Sequence, residues 1–113
     1  MNHNVLSVSQ LNEQIRVIVD SEPSLASVAV LGEISNYKKY PSGHHYFTLK
    51  DESSSLKCVM FKSSAVRLRF TPANGMKVIA LGRISVYPRD GAYQLYCTAM
   101  TPDGQGDLHA AFE

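Results

Sequence analysis

Tyr37, Lys38, Lys39 and Tyr40 stand in one run, and His44 and Tyr46 follow shortly after. Rings interleaved with ammonium groups have a definite chemistry. The rings stack on nucleobases and the ammonium groups meet phosphates, so the pattern suits an unpaired nucleic-acid strand. Tyr46 is the leading stacking candidate, with Tyr37 and Tyr40 beside it. Lys38 and Lys39 are candidate phosphate partners, Lys57 and Arg89 extend the positive track, and His44 is a base or phosphate contact. Arg83 and Tyr87 are weaker additions. Each has an ordinary alternative, because a tyrosine can cover a neighbouring strand and a lysine can simply face water.

Other chemistries find less to work with. His44 and His45 with Cys58 suggest a metal, but zinc needs three or four converging ligands. Adjacent residues on a strand point to opposite faces, so the two histidines do not converge, and no metal or other cofactor is expected. A self-contained nuclease needs clustered acids or a nucleophile with its base. The central region offers Asp51 and Glu52 in a turn, with Glu33 and Asp90 elsewhere. Asp51 reads as a turn residue bonding its own backbone. No catalytic residue is assigned in this chain.

The chain has 113 residues, 44% of them hydrophobic, enough for one compact domain with a single core. No apolar run approaches the ~18 residues of a membrane span, and the N-terminus lacks a signal-peptide pattern. Cys58 and Cys97 both sit in apolar strand patterns and read as small buried hydrophobes. A cytoplasmic protein without membrane partners is the expectation. Net charge is +1, but the distribution is uneven. From Ser27 to Thr101 ten Lys/Arg stand against four Asp/Glu, whereas the flanks hold Arg16 against six acids. The positive charge is concentrated where the aromatics are.

The elements that must position these residues follow from periodicity. Ser7 to Asp20 reads as an amphipathic helix with Leu11, Ile15, Ile18 and Val19 on one stripe. Ser7 and Gln10 fit a capping box, Leu6 and Leu11 a hydrophobic staple, and Pro23 ends the helix. The first strand is expected over Leu25 to Asn36, with Gly32 permitting a sharp bend. A loop from Tyr37 to Gly43 follows, then a strand over His44 to Lys50. Phe47 and Leu49 share its inner face; His44, Tyr46 and Thr48 share the outer one. Leu56 to Lys62 is the third strand, its register ambiguous but for an outward Lys57. Ser63 to Phe70 reads as a short helix capped by Ser63 or Ser64. Met76 to Val86, interrupted by Gly82, is the fourth strand, and Tyr87 to Ala92 is a hairpin with Asp-Gly turn chemistry. Tyr93 to Met100 is the fifth, with Tyr93 or Tyr96 in the core unless a bulge intervenes.

Five strands with a helix between the third and fourth make a mainly β, OB-fold barrel, here with an added N-terminal helix. In that fold the face of strands 2 and 3, with the loops joining strands 1–2 and 4–5, carries the ligand. Those loops are Ser-Asn-Tyr-Lys-Lys-Tyr-Pro-Ser-Gly and Tyr-Pro-Arg-Asp-Gly-Ala, so fold and chemistry point to one surface. The expected organisation is a helix over 1–24 packing on the barrel, the barrel over 25–101, and a tail over 102–113.

Several stretches together carry a family likeness: VLGEISNYKKYPSGHHYFTLKDE, KCVMF, NGMKV, GRISVYPRDGAYQLY and MTPDG. They resemble the N-terminal region of the large subunit of bacterial exodeoxyribonuclease VII, and the likeness covers essentially the whole chain. The resemblance implies an OB-fold domain binding single-stranded DNA, ahead of a catalytic region and a segment that assembles with the small subunit. It implies metal-independent cutting of single-stranded DNA from both ends, by residues outside this chain. The second strand also resembles that of anticodon-binding domains in class II aminoacyl-tRNA synthetases, where the outward aromatic at the position of Tyr46 stacks on a base. Two rival readings stay open: a domain that docks on protein, and an anticodon-type RNA binder.

Overall fold

A computed structural model of the chain describes residues 4–103. Its order is α1 (Val8–Asp20), a turn of 3-10 helix (Pro23–Leu25), β1 (Val28–Lys39), β2 (His45–Lys50), β3 (Ser55–Met60), α2 (Lys62–Ala65), β4 (Lys77–Tyr87) and β5 (Ala92–Pro102). The tail expected from residue 102, with its Leu-His-Ala-Ala-Phe-Glu ending, lies outside the described residues beyond Asp103.

The five strands close into a barrel in the order β1-β2-β3-β5-β4. β1 is long enough to serve two neighbours. Val28 to Glu33 pair antiparallel with β4, and Glu33 to Lys39 pair antiparallel with β2. Closure is made by a short parallel contact of β3 with β5, at Cys58–Leu95 and Val59–Tyr96. Two glycines sit where the strands crowd. A Cβ at Gly32 would lie 3.1 Å from the Leu49 Cβ, and one at Gly82 would lie 2.1 Å from the Tyr96 carbonyl oxygen. Gly82 also marks a register shift against β5, so the bend expected there is a close backbone approach.

Inward residues of every strand fill the barrel: Ile34, Phe47, Leu49, Cys58, Met60, Val78, Ala80, Leu95, Cys97 and Met100. Phe47 and Leu49 thus lie on the face that alternation assigned them. Both cysteines are buried free thiols, and burial pushes Cys58 up to about 12 and Cys97 to about 11.

Local chemistry explains the element ends, and in places corrects the sequence reading. Ser7 caps α1 as a full capping box: its hydroxyl accepts from the Gln10 N–H at 3.1 Å, and the Gln10 side chain accepts from the Ser7 N–H at 2.8 Å. The helix lies on β4, with the Asn12 amide donating to the Pro88 carbonyl at 2.8 Å and the Ser85 hydroxyl donating to Asp20 at 2.6 Å. The face it turns to the barrel therefore carries Asn12, Arg16 and Val19. The expected apolar stripe stays largely outside, since Leu11, Ile15 and Ile18 are all exposed.

β1 runs three residues further than expected, because pairing with β2 continues through Lys39–His45; the connecting loop is correspondingly short. α2 is a single turn. Phe61, not Ser63 or Ser64, occupies its cap position, and no side chain caps it there. Beyond Ala65 the chain leaves helical spacing so that Leu68 and Phe70, two residues apart, both pack on the core.

Candidate nucleic-acid interface

The outward surface of β1, β2 and β3 is set by one irregularity. Ser35 pairs with Thr48, yet the next registered pair is Lys38 with Tyr46, so β1 carries one extra residue opposite Phe47. Asn36 takes that position with φ 54°, the left-handed conformation that Asn tolerates better than most residues. The bulge inverts the alternation. Tyr37 turns inward after Ile34, and Lys38 turns outward beside Tyr46.

A groove of about 450 Å³ follows, lined by Asn36, Lys38, Tyr40, Tyr46, Thr48, Lys57 and Gln94, with Phe47 and Cys58 at its floor. Tyr46 is 41% exposed and Tyr40 47%, their rings 4.9 Å apart edge to face. Lys57 pairs with Thr48 on the same outward face. Among the described residues neither Lys38 nor Lys57 meets a carboxylate, whereas Lys50 is 3.9 Å from Glu33. Two free ammonium groups thus flank two accessible rings. That arrangement can stack a base and hold its phosphates.

The other residues singled out from the sequence go elsewhere. Tyr37 stacks on Phe47 at 5.1 Å inside the barrel mouth, and its hydroxyl meets His45 Nδ1 at 2.6 Å. Burial, and then Cys97, pushes the Tyr37 hydroxyl up to about 12. Tyr37 is therefore a strand residue packed on the core, corrected from an outward loop ring. Lys39 pairs with His45 at the strand end, on the opposite side of β1 from Lys38. Burial and then the Lys39 charge lower the His45 pKa, which favours the neutral form of that ring. His44 lies just before β2, where its Nδ1 accepts the Lys62 N–H at 2.9 Å and so serves the start of α2.

Arg89 is exposed in the 88–91 turn of the β4–β5 hairpin and does not line the groove. Asp51 accepts the Ser53 and Ser54 N–H groups at 2.9 and 2.8 Å, which hold its carboxyl below the usual range. Neither Tyr93 nor Tyr96 is in the buried core. Tyr96 faces outward with the Arg83 guanidinium 4.7 Å over its ring, and Tyr93, 61% exposed, stands at an end of the barrel. No cluster of three His, Cys, Asp or Glu residues able to hold a metal occurs among the described residues, and none of their helices is long and apolar enough to cross a membrane.

Sequence reasoning missed one outward ring, Phe61, and left the facing of Tyr96 open. The unbroken apolar run from Cys58 to Phe61 concealed where β3 stops. Tyr96 was legible once Leu95 and Cys97 were taken as the inward pair of β5.

A closed five-stranded barrel with a basic, aromatic groove over its first three strands defines a nucleic-acid-binding OB domain. Residues 6–101 match the family model described as an OB-fold nucleic acid binding domain, and the chain belongs to that family. Over 109 residues it is 58% identical to the exodeoxyribonuclease 7 large subunit of Clostridium acetobutylicum, a match covering 96% of this chain and 27% of that protein. The chain thus spans about a quarter of the length of the curated relatives it matches. Among solved structures, a replication protein A heterotrimer bound to ssDNA superposes with a TM-score of 0.57 at 12% identity, covering 69% of this chain and 57% of that one. Asparaginyl-tRNA synthetase from Pyrococcus horikoshii gives 0.54 at 15% identity, covering 72% of this chain and 21% of that one. At such identities the two structures speak to the fold alone.

Proposed function

We propose that this chain is the single-stranded DNA-binding domain of an exodeoxyribonuclease VII large subunit, gathering strands for a catalytic centre in another part of that protein. The observation that carries the reading is the outward Lys38–Tyr46 pair, with Tyr40 and Lys57 completing the groove. Stacking on rings accepts any base, and ammonium groups accept any phosphate, which suits an enzyme that degrades strands of every sequence. The N-terminal region 1–24, through α1, buttresses the barrel region 25–101, and the segment from 102 leads towards the rest of the enzyme. The assembled protein acts in the cytoplasm, removes oligonucleotides from both ends of single strands, and meets its small subunit through regions beyond this chain. The chain itself is non-catalytic and needs no metal.

The test is fluorescence anisotropy of a labelled oligonucleotide at low and moderate salt, with a duplex control and an RNA competitor. Salt-sensitive binding of the single strand over the duplex is expected. Absence of binding at low salt overturns the reading. Preference for RNA would move it to an anticodon-type domain, since only RNA offers a 2′-OH.

One observation favours a second reading, protein docking: Val8, Leu11, Ile15 and Ile18 leave an apolar stripe exposed along α1. Assembly lost on substituting that stripe, with DNA binding intact, would support it.

A further inference from the structure

The outward row that begins with Lys38 and Tyr46 does not stop at the groove. Tyr46 pairs with Val59 on β3, Val59 with Tyr96 on β5, and Tyr96 with Arg83 on β4. Paired residues share a face, so Lys38, Tyr46, Tyr96 and Arg83 all face outward in one row that follows the closed barrel around from β1 through β2, β3 and β5 to β4. At its far end planar groups collect. Arg83 lies 4.7 Å over the Tyr96 ring, Phe61 tilts against Tyr96 with centroids 5.9 Å apart, and His44 meets Phe61 edge to face at 5.2 Å.

Phe61 is 45% exposed, although its neighbours Val59 and Met60 are fully covered. Its ring has no polar atom, so its accessible face offers stacking or apolar contact and nothing else. The same Tyr96 ring that meets Phe61 also carries the Arg83 guanidinium as a cation–π partner, and that cation has no acidic partner among the described residues. An exposed ring and an unpaired cation that share Tyr96 as neighbour suit one nucleotide, its base on Phe61 and a phosphate on Arg83. Tyr46 and Tyr96 are two strand spacings apart, about 10 Å. A base in contact with the Tyr46 ring therefore cannot also lie on this cluster.

We propose that Phe61, Tyr96 and Arg83 form a second nucleotide subsite, distinct from the Tyr46 groove, so that a single strand follows this row around the outside of the barrel from Lys38 on β1 towards Arg83 on β4. The proposal rests on the single-strand-binding reading above and adds to it a path and a minimum length. His44 contributes as a positioning residue: it grips the Lys62 N–H and packs against Phe61, fixing the ring at the strand–helix junction.

The test titrates the 113-residue chain with oligothymidylates of about 4 to about 16 nucleotides, the range of OB-fold site sizes. Wild type is compared with Phe61→Ala, Phe61→Leu, Arg83→Gln and Tyr46→Ala. Phe61→Leu keeps an apolar side chain but has no flat face, so it reports stacking even if the alanine variant fails to fold. Long oligonucleotides should bind about 10-fold more weakly to both Phe61 variants, and the gain in affinity from lengthening the strand should shrink by the same factor. Arg83→Gln should lower the salt slope by about 0.7, one phosphate contact on a single strand. If Phe61→Leu and Arg83→Gln bind like wild type at every length while Tyr46→Ala does not, the second subsite is overturned and the groove stands. If wild type retains no single strand, the groove falls too.

Discussion

Lys38 and Tyr46 are cross-strand partners on the outer face of β1 and β2, and they are partners because Asn36 is bulged. In a regular strand Lys38 would share a face with Ile34 and point into the core. An ammonium group buried there would be costly or would lose its proton. The single extra residue sends the inward position to Tyr37, which fills it against Phe47, and presents the lysine beside the exposed Tyr46 ring. One left-handed residue thus turns a lysine and a tyrosine of adjacent strands to the same outer face, the surface proposed to bind.

The groove makes two separable predictions from that pair. Tyr46→Ala should weaken single-strand binding by about 1–3 kcal/mol at any salt, the worth of one stacked base. Lys38→Ala should instead lower the slope of log affinity against log salt by about 0.7. Anisotropy titrations across a salt series resolve both. Equal slopes for wild type and Lys38→Ala would remove the lysine from the phosphate path.

The bulge itself can be tested. Asn36→Gly keeps a residue at ease with φ 54° and should leave stability and binding nearly unchanged. Asn36→Val places a β-branched side chain in the left-handed region and should cost about 1–2 kcal/mol. Because relief of that strain means losing the bulge, Asn36→Val should also lose single-strand affinity out of proportion to its stability. Urea melts and titrations of the two variants together decide the matter.

How much of this was legible beforehand depends on period. β2 alternates cleanly, so Phe47 and Leu49 inside and Tyr46 outside could be read directly from the sequence. α1 announced its cap through Ser7 and Gln10. Its facing could not be read, because two hydrogen bonds, from Asn12 to Pro88 and from Ser85 to Asp20, orient a polar side towards β4 and outweigh the pull of the apolar stripe. Tyr37 was misplaced for a different reason. A bulge is a one-residue event whose marker, an Asn in a β-branched run, also fits an ordinary loop. Phe61 stayed hidden because an all-apolar run has no period to read; the facing of Tyr96 stays open when it is weighed against Tyr93 and not against its own neighbours Leu95 and Cys97.

Gly82 yields a stability prediction from space alone. Its would-be Cβ meets the Tyr96 carbonyl oxygen at 2.1 Å, backbone that cannot swing aside as a side-chain tip could. Gly82→Ala should therefore destabilise the barrel by about 3 kcal/mol or more, at the upper end of overpacking costs. Gly32→Ala, facing the Leu49 Cβ at 3.1 Å, should cost distinctly less. Denaturant midpoints of the two variants give the comparison, and an unperturbed Gly82→Ala would mean that β4 and β5 are not packed as closely as described.

The two thiols provide a chemical readout of folding. Burial holds Cys58 at about 12 and Cys97 at about 11, so neither is a thiolate near neutral pH, and both are almost wholly buried. Native protein should resist iodoacetamide, and denatured protein should take up two equivalents, one for each cysteine. Rapid labelling of the native chain, seen by mass spectrometry, would show that the barrel opens locally between β3 and β5.

His45 sets the sign of the pH dependence. Burial and the nearby Lys39 charge lower its pKa in the folded state, where its Nδ1 meets the Tyr37 hydroxyl. In the unfolded chain the ring titrates near about 6.5. Above that pH both states hold it neutral and its contribution to stability is complete. As pH falls below about 6.5 the unfolded chain takes up the proton first, and stability drains away until the folded pKa is passed. The carboxylates with lowered values, Glu13, Glu22 and Asp51, act only further down, below about 4. The urea midpoint should therefore fall between about pH 7 and about pH 5, and the fall should be shallower in His45→Gln, whose side chain stays neutral throughout. The same slope in both proteins would assign the pH dependence to other groups and leave the Tyr37–His45 contact as packing alone.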